Sequence, residues 1–176
     1  AHDTPARVLV REAMVLAGEL AGDFCGKHGV PVLYRAQTPP DDLSQEEALA
    51  GRRLDLVEAM AARRHMRRAE IVLQPAAHFG LGVPSYVQVT SPIRRYADLL
   101  SHRQIAAKIR GEPLPVEREQ LVELAGHIDA LCGDASVIER ERLRYWSLVY
   151  LRQFKHDILD AVVVDYVDDR KQRAVV

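Results

Sequence analysis

The chain has 176 residues, 48% hydrophobic and 28% charged, with a formal net charge of −1. These values are ordinary for a globular protein that needs neither a disulfide nor a metal to fold, and they exclude a uniformly basic nucleic-acid-binding chain. No apolar run approaches the ~18 residues of a membrane helix, and the N-terminus does not resemble a signal peptide. We therefore expect a cytoplasmic protein with no membrane contact. Cys25 and Cys132 lack metal-ligand spacing and are expected to be buried thiols.

The N-terminal segment predicts a long helix followed by an extended run. Thr4 can cap the helix, Pro5 suits its first turn, and apolar residues recur at helical spacing over 5–28. Gly29 is expected to end it. Residues 30–34 are apolar and predicted to be extended.

The middle of the chain predicts a second helix and then irregular structure. Ser44 and Glu47 are spaced as a capping box, which predicts a helix that runs to about Arg68. Residues 69–90 are expected to be irregular to extended, with a strand at Ser85–Val89.

The second half of the chain is predicted to contain further helices and a final hairpin. One helix is expected from Pro92 to just before Gly111. Either one long helix or two with a break near Gly133 should then reach about Phe154. The β-rich run 158–167, a turn and a returning strand predict a hairpin that opens a further unit, so we expect the natural protein to continue.

The segment around the start of the third predicted helix has the character of an anion site. Thr90 or Ser91 would cap that helix and leave backbone N–H groups free at its positive end. Arg94 and Arg95 nevertheless stand there, where the helix dipole disfavours cations. A phosphate would resolve the conflict, because it could accept from the N–H groups and the guanidinium groups together. Alternatively, both arginines only pair with Asp98, three or four residues away.

A resemblance bears on this choice. The stretch HFGLG…Y…TSPIRRYADLL.HR, residues 78–103, resembles the signature of the RNB family of exoribonucleases, the ribonuclease II and ribonuclease R type. The stretch PVLYR at 31–35 and the helix around Arg7 to Met14 are similar to further family patterns. The resemblance covers residues 5–153.

The resemblance implies a fold and an activity. The expected class is α/β, with residues 1–154 the helix-rich C-terminal part of an RNB catalytic domain that packs on a sheet completed upstream. Residues 155–176 would begin an OB-type RNA-binding barrel. The whole protein would be a monomeric, Mg²⁺-dependent 3′→5′ exoribonuclease that hydrolyses single-stranded RNA to nucleoside 5′-monophosphates.

Individual roles follow from the matched positions. Arg94 matches an arginine that contacts the phosphate at the scissile bond, where it would stabilise developing charge. Glu139 matches a glutamate that faces the 3′-terminal nucleotides, although it could instead pair with a nearby arginine on its helix. For Arg95 and Tyr96, contact with RNA and structural packing are equally favoured interpretations. The implied RNA-contacting set is Glu12, Tyr86, Thr90, Ser91, Arg95 and Tyr96.

Some positions depart from the family pattern. Arg11 stands where the first acid of a glutamate pair is expected, which puts the sugar contact of that acid in doubt. Gln88 and Val89 replace a common His-Phe pair. The aspartates that bind Mg²⁺ in the family are expected upstream of this chain, and the local aspartates have turn or capping explanations. We therefore expect that these residues do not form a metal site of their own.

Two other functions remain open from the sequence. The protein could be a catalytically inactive RNA-binding homologue of the same fold, which the upstream aspartates would decide. It could also be a helical interaction protein whose arginines form only surface pairs, in which case it would not bind RNA.

Overall fold

A computed structural model describes residues 4–40, 55–155, 157–158, 162–163, 165–166 and 174–175. Its elements, in chain order, are α1 (Pro5–His28), β1 (Tyr34–Ala36), α2 (Leu56–His65), β2 (Glu70–Val72), α3 (Tyr96–Arg110), α4 (Arg118–Leu151), β3 (Asp165–Tyr166) and β4 (Ala174–Val175). Short 3₁₀ turns occupy Phe79–Leu81 and Arg152–Phe154. The predicted helix-rich architecture with little sheet is confirmed. The OB-type barrel and the boundary between 1–154 and 155–176 stay predictions.

The described residues form two compact units. The first comprises the residues up to Thr38 together with Arg68–Gly133, and the second comprises Pro39–Arg67 and Asp134–Val176. The first unit contains α1, β1, β2 and α3, the second contains α2, β3 and β4, and α4 contributes residues to both. Within the described ranges, none of the helices combines the length and apolarity that crossing a bilayer would require.

Helix α1 has the ends that the sequence predicts. Thr4 is its N-cap and accepts a hydrogen bond from the backbone N–H of Arg7 at 3.4 Å. Gly29 follows the last turn with φ 62°, a left-handed conformation that glycine adopts without strain. The predicted range 5–28 is confirmed.

The extended run after α1 separates two apolar clusters of the first unit. Side chains alternate along an extended chain, so Val32 and Tyr34 join Cys25 and Val87 in one cluster. Leu33, between them, joins the other cluster, with Leu100 of α3 and Leu121 of α4. β1 pairs with β2 in antiparallel register, with Tyr34 opposite Val72. This two-stranded sheet therefore contributes to both clusters, because Val72 of β2 packs against the first and Ile71 of β2 packs against the second.

The two cysteines differ in exposure. Cys25 is buried, and its burial raises the pKa of its thiol to about 12. Cys132 is exposed on α4, which corrects the expectation that both thiols are buried.

Ser85–Val89 is extended but does not form the predicted strand. Val87 makes a single bridge to Tyr34, and the N–H of Arg35 donates to the carbonyl of Tyr86 at 2.8 Å. On its other side, the Val87 N–H donates to the Gly18 carbonyl of α1 at 3.1 Å. A helix thus takes the place of a second strand partner, and no continuous ladder forms.

α1 approaches this segment through two glycines. A Cβ added at Gly18 would overlap the ring of Tyr86, and one at Gly22 would lie 2.7 Å from the Ser85 hydroxyl oxygen. Both glycines are buried. The absence of side chains at these positions therefore permits the contact between helix and extended segment.

Helix α2 is shorter than predicted. It begins after Asp55, whose side chain accepts from the Glu58 N–H at 2.8 Å, while the Glu58 side chain accepts from the Asp55 N–H at 3.1 Å. This capping box was not predicted, and the predicted one at Ser44 and Glu47 lies outside the described residues. The helix ends at His65 instead of Arg68 because Met66 turns extended, with ψ 130°.

Helices α3 and α4 revise two expectations. α3 begins at Tyr96, not Pro92, and the residues before it form a turn in which the Ser91 carbonyl accepts from the N–H groups of Arg94 and Arg95. α4 runs unbroken through Gly133, which decides between one helix and two. A single glycine costs a helix only about 1 kcal/mol, so it need not break one of this length.

A fully buried glutamine fastens α3 to the segments around it. The Gln104 amide donates to the carbonyls of Pro31 at 3.0 Å and Val116 at 2.7 Å, and it accepts from the Val116 N–H at 3.2 Å. These bonds join α3 to the run before β1 and to the run before α4. No local pattern in the sequence indicates these contacts of Gln104.

The C-terminal hairpin is shorter than predicted. β3 and β4 pair antiparallel, with Asp165 opposite Val175. Ile158, Val162 and Val163, placed in the strand by sequence, are not in a strand. The predicted turn at 168–171 lies outside the described residues.

The glycine contact predicts a difference between two helical glycines. Gly18→Ala should lower the free energy of unfolding by about 2 kcal/mol, because the methyl group must displace the Tyr86 ring. Gly126→Ala on α4 meets no atom within 4 Å and should raise it by about 0.5–1 kcal/mol through helix propensity. Urea unfolding of both variants measures this difference. Equal effects of the two substitutions would contradict the close approach at Gly18.

Candidate phosphate-binding site

A buried carboxylate organises the turn before α3. Asp98 is 0% exposed, and its Oδ2 accepts from the Ser91 N–H at 2.8 Å and from Arg95 Nη2 at 2.7 Å. Arg95 Nη2 also donates to the Thr90 hydroxyl oxygen at 3.3 Å. Among the described residues, the buried Asp98 Oδ1 and Arg95 Nε have no hydrogen-bond partner. Asp98 thus fixes both the first and the last residue of the turn.

The two neighbouring arginines have different environments. Arg95 is partly buried and forms the ion pair with Asp98. Arg94 is exposed, and in the described part of the chain its side chain makes neither an ion pair nor a hydrogen bond. The alternative in which both arginines pair with Asp98 is therefore right for Arg95 and wrong for Arg94.

The predicted capping of α3 by Thr90 or Ser91 is wrong. Arg95 is the N-cap residue, and no side chain caps the helix there. Thr90 and Ser91 instead bond to the Arg95–Asp98 pair, because the buried carboxylate takes the N–H of Ser91. Arg94 thus precedes the helix by two residues.

A cavity of about 290 Å³ lies beside this turn. Arg94, Arg95 and Tyr96 line one part of it, with Arg35 of β1 and Gln88. Tyr96 is 52% exposed. The remaining wall is mainly apolar and comes from the two core strands and α4: Leu33, Ile71, Leu124, Ile128 and Leu131. The cavity therefore combines guanidinium groups, an aromatic ring and an apolar wall.

Tyr86 lies on the α1 side of the turn. Burial raises the pKa of its hydroxyl, and the nearby Arg95 and Asp98 lower and raise this pKa, respectively. Its ring makes an edge contact with His78, with the centroids 5.8 Å apart. It also lines a more open cavity with Arg7 and Arg11 of α1.

Two predicted residues lie elsewhere. Glu12 is exposed on α1 and pairs with Arg11 at 3.3 Å. Glu139 is exposed on the part of α4 that belongs to the second unit. The first unit therefore brings Arg94, Arg95 and Tyr96 to one cavity, with Thr90 and Ser91 on the adjoining turn.

A charge cluster at the edge of β1 was not predicted. Asp129 Oδ1 lies 3.9 Å from Arg35 Nη1 and 3.3 Å from Arg68 Nη2. Burial lowers the pKa of the Arg35 guanidinium, and Asp129 partly offsets this. These partners are far apart in the sequence, so no local spacing indicates the cluster.

The described residues offer no group of three or more histidine, cysteine, aspartate or glutamate side chains that could hold a metal ion. The described residues therefore do not by themselves fit a Mg²⁺ site.

The arginine pair predicts unequal effects on stability. Arg95→Gln should lower the free energy of unfolding by about 3 kcal/mol, because it leaves the buried Asp98 charge without its partner. Arg94→Gln should change it by less than about 0.5 kcal/mol, as surface substitutions do. Denaturant unfolding measures both. Similar losses in the two variants would show that Arg94 is also structural.

Known proteins resemble the chain in sequence. Residues 1–111 match the RNB domain family. An uncharacterized ribonuclease of Synechocystis sp. is 42% identical over 162 residues, which cover 92% of this chain and 24% of the relative. The chloroplastic/mitochondrial ribonuclease II of Arabidopsis thaliana is 36% identical over 165 residues, covering 92% of this chain and 20% of that protein.

Solved structures resemble it in fold. An active-site mutant of the Dss1 exoribonuclease from Candida glabrata matches with a TM-score of 0.78 and 26% identity, over 87% of this chain and 20% of that one. RNase R of Mycoplasma genitalium, solved with ribose-methylated single-stranded RNA, matches with 0.70 and 20% identity, over 95% and 32%. Yeast Ssd1, a pseudonuclease, matches with 0.63 and 20% identity, over 73% and 20%. The chain thus spans a quarter or less of the length of the two curated relatives named above. Because the RNB domain model matches residues 1–111, the chain belongs to the RNB family.

Proposed function

We propose that the protein containing this chain is a hydrolytic exoribonuclease that degrades single-stranded RNA from its 3′ end to nucleoside 5′-monophosphates. The observation that carries the proposal is the environment of Arg94. Its guanidinium is exposed and unpaired among the described residues, on a turn that the buried Asp98 holds in place. It lies within the family-matched region, and the named relatives are ribonucleases.

The chemistry of Arg94 suits a reacting phosphodiester. A guanidinium stays charged and presents a planar pair of donors that matches two phosphate oxygens. Held in place before the substrate arrives, it would stabilise the charge that develops on those oxygens, an effect often worth ~10²–10³ in rate. Arg95 Nη2 is bonded to Asp98 Oδ2, so the role of Arg95 in this proposal is to position the turn.

The other predicted residues keep supporting roles in the proposal. Tyr96 lines the cavity beside Arg94, where an aromatic ring can stack on a base. Glu139 would face the 3′-terminal nucleotides. The remaining RNA contacts are proposed for Glu12, Tyr86, Thr90 and Ser91.

Mg²⁺ is proposed as the cofactor of the whole protein, with ligands upstream of this chain. Clustered aspartates would hold the metal, whose positive charge would offset the negative charge of the scissile phosphate. The residues of this chain would contribute the arginine and the walls of the cavity.

The proposed partner is single-stranded RNA, bound by a monomeric protein in the cytoplasm. RNase R of Mycoplasma genitalium, similar in fold, was solved with single-stranded RNA. The Arabidopsis relative is named chloroplastic/mitochondrial, so compartments differ within the family.

A second candidate function is an RNA-binding protein without catalysis. Yeast Ssd1, which shares the fold, is a pseudonuclease, and Arg11 replaces an acid of the family pattern here. Incubating the complete protein with Mg²⁺ and a 3′-extended RNA decides between the two. Release of mononucleotides supports the enzyme, and tight binding without cleavage supports the alternative.

A lysine substitution tests the role of Arg94. In the complete protein, Arg94→Lys should lower single-turnover cleavage by at least about a hundredfold, because lysine keeps the charge but loses the paired donors. RNA affinity, spread over many contacts, should fall by about tenfold or less, as expected for an interaction made chiefly in the transition state.

Arg103→Lys is the matched control for this substitution. Arg103 is also exposed, on the neighbouring helix α3, and lysine there should leave both cleavage and binding unchanged. Near-normal cleavage by Arg94→Lys would rule out the catalytic role.

The salt dependence of binding tests the phosphate contact separately from cleavage. For single-stranded RNA, the slope of log K against log salt is about −0.7 for each neutralised phosphate. Arg94→Gln should therefore reduce the magnitude of the slope by about 0.7, while the Arg103→Gln slope should equal that of the unsubstituted protein. Filter-binding titrations at several salt concentrations measure it. An unchanged slope for Arg94→Gln would contradict a phosphate contact.

A further inference from the structure

The cluster of Arg35, Arg68 and Asp129 contains one more positive charge than its carboxylate can neutralise. Arg68 Nη2 is 3.3 Å from Asp129 Oδ1 and donates a hydrogen bond to it. Arg35 Nη1 lies 3.9 Å from the same oxygen, beyond hydrogen-bond range. Asp129 is therefore bound chiefly by Arg68, and the carboxylate contact of Arg35 within the described ranges is this long one.

Arg35 is the more buried of the two arginines. Its side chain is 23% exposed, compared with 66% for Arg68. Burial lowers the pKa of its guanidinium, Asp129 partly offsets this, and the positive charges of Arg68 and Arg95 lower the pKa further. Arginine nonetheless remains charged in proteins. A largely buried cation without a close partner is unfavourable, and such local conflicts are typical of functional positions.

The two arginines of the cluster face different cavities. Arg35 lines the cavity of about 290 Å³ that also contains Arg94. Arg68 and Asp129 do not line that cavity but line a neighbouring one of about 370 Å³. Arg35 and Arg94, which have no close carboxylate partner among the residues that the structure describes, therefore line the same cavity.

We propose that Arg35 is a second phosphate-binding residue of this cavity and that Asp129 holds its guanidinium only while no nucleotide is bound. A nucleotide phosphate would replace the 3.9 Å contact of Arg35, and Asp129 would keep its hydrogen bond with Arg68. The apolar wall, with Leu33 and Leu124, would accept the base. The proposal rests on RNA as the ligand of the proposed function, and it adds a residue to which the family resemblance gives no role.

Uridine 5′-monophosphate is the probe, titrated into the complete protein by NMR without Mg²⁺. Arg35→Gln should weaken its binding at least tenfold. Arg68→Gln, the matched control, removes the same charge from the same carboxylate but does not line the cavity, and it should weaken binding by less than about threefold. Equal effects, or no detectable binding by the unsubstituted protein, would overturn the proposal.

Removal of the carboxylate provides a test in the opposite direction. Asp129→Asn should strengthen binding of uridine 5′-monophosphate by about threefold to tenfold, because Arg35 no longer has a competing partner. Glu123→Gln, an exposed change of the same charge on α4, controls for the net charge and should have less than a twofold effect. The gain should vanish in the Arg35→Gln/Asp129→Asn double variant. If Asp129→Asn weakens binding, or if the gain persists without Arg35, Asp129 does not compete with the phosphate.

Two further probes, inorganic phosphate and uridine, show which half of the nucleotide Arg35 binds. Inorganic phosphate should lose affinity in Arg35→Gln, whereas uridine, which lacks the phosphate, should not. If Arg35→Gln fails to fold, Leu131→Glu places a negative charge on an exposed residue of the same cavity, 58% exposed, and should weaken binding of the monophosphate at least fivefold. Val122→Glu, 57% exposed on the same helix and away from the cavity, is its control. Equal binding by these two glutamate variants would also overturn the proposal.

These binding measurements stand apart from catalysis. A protein that cleaves RNA but shows no difference between Arg35→Gln and Arg68→Gln retains the proposed function and loses this inference. A protein that never cleaves RNA but shows the expected binding pattern retains this inference and is the inactive RNA-binding homologue.

Discussion

The geometry of the candidate site depends on the buried carboxylate of Asp98. A charge with no solvent exposure is tolerated only when close partners replace water, and Asp98 obtains them from the Ser91 N–H and the Arg95 guanidinium. These bonds close the chain into a turn and delay the start of α3 to Tyr96. Because Arg95 is used in this way, Arg94 is left as the exposed cation of the pair. The ion pair with Asp98 thus gives Arg95 a structural role and leaves Arg94 available to a ligand.

The strand β1 connects this turn to the core. Successive residues point to opposite faces, so Leu33 and Tyr34 enter different apolar clusters. Arg35, the next residue, reaches the cavity and also bonds through its N–H to the carbonyl of Tyr86. A charged side chain of the cavity therefore belongs to a residue that directly follows the almost fully buried Leu33 and Tyr34. Such a position limits the movement of its backbone and leaves adjustment to the side chain.

The sequence predicts the parts of this structure that depend on neighbouring residues. Thr4 and Gly29 set the ends of α1 through local bonds, and both ends are correct. The RNB resemblance located the segment that contains Arg94, which lies within the residues that match the RNB domain family. The predicted start of α3 was wrong because the actual start depends on the burial of Asp98, and the spacing of residues in the sequence does not reveal that burial.

Other features depend on partners that are distant in the sequence. Asp129 meets Arg35 and Arg68 only after the chain has folded, and Gln104 meets Pro31 in the same way. The predicted strand at Ser85–Val89 has suitable β-forming residues. On one side, however, its backbone bonds to helix α1 and not to a second strand. Hydrophobic pattern alone therefore identified the extended segment and not its hydrogen bonds.

The bond from the Val87 N–H to the Gly18 carbonyl has a consequence for local opening of the molecule. Amide hydrogens exchange with solvent when the structure around them opens, and groups that open together exchange together. Val87 is 0% exposed, and in the described part of the chain its N–H donates to the Gly18 carbonyl of α1. We therefore expect its amide hydrogen to exchange with solvent when α1 opens at Gly18. Because Val87 lies on the segment that leads to Arg94, such an opening of the first helix should also loosen the backbone that precedes the candidate site.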